Sequence, residues 1–117
     1  MRPMPDISDT LKSITQTYEQ IKVALDSKIA SKGYVVIKEN YHPESFGNRY
    51  VIWSNTKDSI RLIWDGKDGW FYLQTLETLP SDWMDDWKDV IYIPYDPREH
   101  GQSYVHDMQV KILNGIN

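Results

Sequence analysis

The chain has no cysteine. Disulfides, thiol catalysis and zinc–thiolate sites are excluded by that single absence. No apolar run reaches the roughly 18 residues needed to cross a membrane. The start, Met1-Arg2-Pro3-Met4-Pro5-Asp6, has no apolar stretch and does not read as a signal peptide. The cytoplasm is therefore the expected compartment. Basic residues are outnumbered, 13 against 17 acidic, for a net charge of −4. That balance argues against a nucleic-acid partner, which wants a basic patch. Internal repeats and low-complexity segments are lacking. There are three histidines, His42, His100 and His106, and none stands at ligand spacing from another donor. No metal and no cofactor are expected.

What is present is aromatic. Five Trp and eight Tyr fall within 117 residues. Such side chains bury large areas, and they are also the ones that interfaces favour. Apolar residues make up 40% and charged residues 26%, which suits a folded chain rather than a disordered one. The length suits one domain, residues 1–117, with 1–5 a loose tail.

A helix is expected from Asp6, which is placed to cap its first turn, with Asp9 complementing the helix dipole. Ile7, Leu11, Ile14, Tyr18, Ile21, Leu25 and Ile29 then recur at helical spacing on one face. Gly33 suits the left-handed position that ends a helix. Such a stripe either lies across a sheet or pairs with its copy in a homodimer. Strand-like segments follow at Tyr34–Glu39, Arg49–Ser54, Ile60–Trp64 and Trp70–Leu76, rich in β-branched and aromatic residues. Short connections imply an antiparallel four-stranded meander. The turn Asp65-Gly66-Lys67-Asp68-Gly69 reads as a hairpin with both glycines at positive φ, and Lys67 spoils it as a calcium loop.

In the third strand Ile60, Leu62 and Trp64 share one face, and Arg61 and Ile63 the other. In the fourth, Phe71 and Leu73 oppose Trp70, Tyr72 and Gln74. One helix covers only one face of a sheet. Either the C-terminal third folds over the second face, or an aromatic surface is left for a partner, which includes a second copy. In that third, Ser81 is expected to cap a short helix, Asp82–Asp89. Val90–Ile93 is a short apolar run, Pro94–Pro97 a turn, and Gln102–Leu113 a last helix marked by Val105, Met108, Ile112 and Leu113.

Two constellations stand out. On the expected helix Asp82, Asp85, Asp86 and Asp89 share a face, and Trp83 and Trp87 lie one turn apart. The plain interpretation is a solvated acidic face with buried tryptophans. The functional one is an acidic patch with Trp anchors meeting a basic partner. The loop Tyr41–Arg49 gathers His42, Glu44, Ser45 and Arg49. Those types serve hydrolases, although no third group orients the histidine. An ordered loop anchored by Phe46 and turning at Gly47-Asn48 is the alternative.

Over roughly residues 7–76 the chain resembles small bacterial proteins of uncharacterised and immunity-type families associated with polymorphic toxins. The residues that carry the resemblance are Phe46-Gly47-Asn48, Arg61, Asp65, Lys67 and Trp70. It implies an antiparallel sheet with a flanking helix and a protein-binding role. It places no catalytic residue.

The sequence thus predicts an α+β fold, with a long N-terminal helix on a four-stranded antiparallel meander and short C-terminal helices. The expected function is non-enzymatic protein binding, with neutralisation of a basic toxin domain as one form. Candidate contact residues are Asp82, Trp83, Asp85, Asp86, Trp87, Asp89, Trp70 and Tyr72. One rival is a small-molecule binder with an aromatic pocket between sheet and C-terminal segment. The other is an enzyme using the His42–Arg49 loop.

Overall fold

A computed structural model describes residues 7–81, 85–95 and 102–114, with side chains omitted at 7–11, 102–105 and 108. Helix α1 runs Ile7–Ile29 and tightens into a 3-10 turn at Ala30–Lys32. Gly33 ends it at φ 84°, where a residue without Cβ is unstrained, and its N–H bonds Ala30 O. The capping roles expected of Asp6 and Asp9 lie outside the described residues and side chains.

Five strands follow: β1 (Val35–His42), β2 (Asn48–Ser54), β3 (Ser59–Asp65), β4 (Trp70–Leu76) and β5 (Lys88–Pro94). They form one antiparallel meander in the order β1-β2-β3-β4-β5. The expectation of four strands is corrected to five. β5 absorbs Val90–Ile93 and extends back through Lys88 and Asp89, so the helix expected at Asp82–Asp89 is absent over its described part. Asp85–Trp87 is irregular and Lys88 begins a strand. Pro94 closes β5 at the sheet edge, where a missing N–H costs no ladder bond. Tyr95 follows as a core residue rather than part of an exposed turn.

The register puts Val51, Leu62, Leu73 and Ile91 in one row, and Arg49, Trp64, Phe71 and Ile93 in the next. This face meets α1 through Tyr18, Ile21, Leu25 and Ile29, all buried. The described part of the α1 stripe, Ile14 to Ile29, is therefore packed inside the chain. Helix α2 (Gln102–Asn114) lies beside α1. Its Ile112 enters the same core, and Lys28 Nζ donates to Leu113 O. None of the described helices is long and apolar enough to cross a membrane.

Tyr95 ties the chain's end to its beginning. Its hydroxyl sits 3.0 Å from Ser13 Oγ and 2.8 Å from Thr17 Oγ1, all three buried. Tyr95→Phe is expected to lower stability by about 1–2 kcal/mol, because two buried hydroxyls lose a partner. Urea denaturation checks this. An unchanged midpoint would show that the hydroxyl cluster contributes nothing.

Candidate functional site

The second face of the sheet is where the structure departs from a closed domain. One row across it is Lys38, Ile52, Arg61, Gln74 and Asp89. The next is Asn40, Tyr50, Ile63, Tyr72 and Tyr92. Neither helix lies on this side. Among the described residues, only Pro80, Ser81, Asp85 and Trp87 return to it, beside the first row.

That return is held by side chains. Asp85 accepts from Ser81 N at 2.9 Å and from Ser81 Oγ at 2.7 Å. Over the described residues 85–89 no helix follows Ser81, which is held by the aspartate four residues on. Trp87 lies against the Arg61 guanidinium, 4.2 Å from its ring centroid. Arg61 donates Nε and Nη2 to Gln74 Oε1, and Gln74 Nε2 donates to Asp89 at 2.7 Å. Ile52 beneath is buried. Between this segment and the sheet lies a cleft of about 480 Å³, lined by Ile37, Lys38, Tyr50, Arg61, Asp85 and Trp87 among others.

The second row is left open. Trp70 and Tyr92 meet at 5.1 Å between ring centroids, and Tyr72 and Tyr92 at 6.1 Å. Tyr92 is 58% exposed. Trp70, Tyr72, Ile63 and Tyr50 are half-buried. Burial and then the carboxylates of Asp65, Asp68 and Asp89 push the Tyr72 hydroxyl above the usual tyrosine range. The Tyr72 ring thus lies near negative charge.

The acidic segment is dispersed rather than gathered. Asp85 holds Ser81, Asp86 is exposed, and Asp89 binds Gln74. The single acidic face expected of a helix is not formed by them. Trp87 covers Arg61 instead of entering the core. Asp82 and Trp83 lie outside the described residues. Trp70 and Tyr72 are brought together, joined by Tyr92 and Ile63, which stand beside them through the register of β5 and β3.

The Tyr41–Arg49 loop is a tight tip, not a cleft. His42 Nδ1 and Glu44 Oε1 are 3.4 Å apart and both exposed, and neither lines a described pocket. Arg49 points to the opposite side of the sheet, toward α1. Its guanidinium lies 4.2 Å from the Tyr41 ring centroid and 5.2 Å from that of Tyr18, and donates to Thr15 Oγ1. Phe46 is 67% exposed at φ 59°. It does not anchor the loop by its ring. The Asn48 side chain anchors it, its Oδ1 accepting from the Gly66 backbone N–H at 2.6 Å.

Among the described residues, no group of three or more His, Asp or Glu is placed to hold a metal. Comparison of the chain with protein-family models, with curated proteins and with solved structures finds no match to any of the three.

Proposed function

We propose that this chain is a protein-binding domain that uses the open half of its second sheet face. The observation that carries it is the row Tyr50, Ile63, Tyr72 and Tyr92 with neighbouring Trp70. It is a contiguous aromatic surface that, among the described residues, neither helix nor the ends of the 80–87 segment cover. An exposed apolar patch of this kind marks an interaction site more often than chance exposure. Tyr and Trp supply affinity there at low entropic cost.

The charges select the partner. Asp65, Asp68 and Asp89 act electrostatically on Tyr72, so a surface bearing Arg or Lys gains favourable charge contacts there and cation–π contacts on the rings. A basic toxin domain, as the resemblance of residues 7–76 implies, is one partner of this chemistry. Catalysis gains no support from His42 and Glu44, which meet in solvent.

The test is affinity capture from a lysate of the source organism with the wild-type chain and with Tyr72→Ala/Tyr92→Ala. A stoichiometric partner retained by the first and lost by the second is expected. Truncating two central aromatics should weaken binding roughly 30-fold or more, with folding unchanged by circular dichroism. A partner held equally by both chains, or none at all, would contradict the proposal.

A further inference from the structure

The cleft beneath Trp87 is a second site, which shares Tyr50 with the aromatic row but not Tyr72 or Tyr92. Lys38 and Arg61 stand on either side of Ile52 in one cross-sheet row. Two strand spacings put their backbones about 10 Å apart. Arg61 is half-buried, and its first described acceptor is the neutral amide of Gln74. No ion pair joins it to a carboxylate among the described residues. The two nearby carboxylates are turned to other donors, Asp85 to Ser81 and Asp89 to Gln74. Arg61 Nη1 takes no described acceptor and is not buried. Lys38 Nζ hangs 5.9 Å from the Tyr50 ring centroid, with no described carboxylate partner. Tyr50 Oη accepts from Asn40 Nδ2, which leaves its own proton to donate.

A half-buried guanidinium facing a neutral partner is incompletely compensated, and an anion in the cleft would complete it. The walls decide which anion. Ile37, Ile52 and Pro80 are apolar and Trp87 is aromatic. Asp85 and Asp89 act electrostatically on Arg61, so a dianion such as phosphate meets more repulsion there than a monoanion. A cleft of about 480 Å³ suits a small molecule. We propose that this cleft binds a monocarboxylate with a compact apolar body, its carboxylate between Arg61 and Lys38 and its body on Ile52 against Trp87. The same chemistry comes from a free small acid or from the C-terminus of a peptide.

The experiment is a two-dimensional NMR titration of the full chain with benzoate, benzamide and N-acetylphenylalanine, following the Trp87 indole N–H and the Ile52 methyls. Benzoate is expected to shift both saturably in the millimolar range, and benzamide, which lacks the charge, to shift neither. Arg61→Gln should weaken benzoate roughly tenfold or more. Arg61 packs under Trp87, so Lys38→Gln on the exposed edge strand is the second variant. It should weaken benzoate several-fold with the fold intact. Tighter binding of N-acetylphenylalanine than of benzoate would assign the peptide terminus, and the reverse order the free acid. Either order upholds the site. Equal shifts with benzamide, no shift with benzoate, or affinity unchanged in both variants would overturn it. Because Tyr72 and Tyr92 lie outside the cleft, their double variant should bind benzoate normally. Failure of this site and failure of the protein-binding surface are thereby distinguishable.

Discussion

Gly66→Ala should destabilise the fold by about 3 kcal/mol, the upper range for forcing an atom into a filled space. A Cβ at Gly66 would stand 1.7 Å from the carbonyl oxygen of Phe46 and 2.7 Å from its carbon. Both are backbone atoms, so no rotamer change relieves the clash. Either the tip of the β1–β2 hairpin or the β3–β4 turn must move. Moving it breaks the 2.6 Å bond from Gly66 N to Asn48 Oδ1. It also disturbs Phe46 and Gly47, which hold φ values of 59° and 70° in succession. The sequence suggests positive φ at both glycines of the turn. The structure gives it to Gly69 alone, at 74°, while Gly66 is needed for close approach. Chemical denaturation checks the value. A loss under 1 kcal/mol would show that the two hairpin tips are not packed together.

Trp53→Ala should cost about 3–5 kcal/mol, the range for deleting a large buried aromatic. Trp53 is fully buried on β2, paired across to Val36 and Ile60. Its indole N–H reaches Asp26 of α1 at 3.0 Å and so fixes the helix on the sheet as well as filling the core. Trp53→Phe separates the two contributions. Asp26 is exposed and stays solvated without its donor, so this variant should lose only about 1 kcal/mol from the missing hydrogen bond, plus any packing loss from the smaller ring. Thermal and urea unfolding of the pair give the comparison. Equal losses would mean that the hydrogen bond, not the packing, carries the position.

Local pattern was legible where one physical rule acted alone. The helical spacing from Ile14 to Ile29 marks α1 because its stripe is buried on one side. The alternation Ile60, Leu62, Trp64 against Arg61, Ile63 marks β3 and its two faces correctly. Gly33 announces the end of α1. The Asp82–Asp89 segment misled because acidic residues at i, i+3 and i+4 imitate a helical face. In the fold Trp87 is drawn to Arg61 and Asp85 to Ser81, and these tertiary contacts override local propensity. The prolines at 94 and 97 make Tyr95 look like part of a turn. Its core role depends on Ser13 and Thr17, some 80 residues away, which no local pattern reveals.

The candidate site was legible in part. Trp70 and Tyr72 could be placed on a second face from β4 alone. Tyr92 and Tyr50 join them only through the pairing register of β5 and β2. The division of that face has the same origin. Pro80, Ser81, Asp85 and Trp87 gather at the Arg61 row, and no described residue covers the Tyr72 row, so a cleft and a surface arise side by side.

The most direct measurement of the central claim is amide and indole chemical-shift mapping on the labelled chain, titrated with its captured partner. Perturbations are expected to centre on Trp70, Tyr72, Tyr92 and Ile63 and to fade toward α1 and α2. Shifts concentrated instead on the exposed side of α1 and α2, with the Tyr72–Tyr92 row unmoved, would contradict the assignment of the open sheet face as the docking surface.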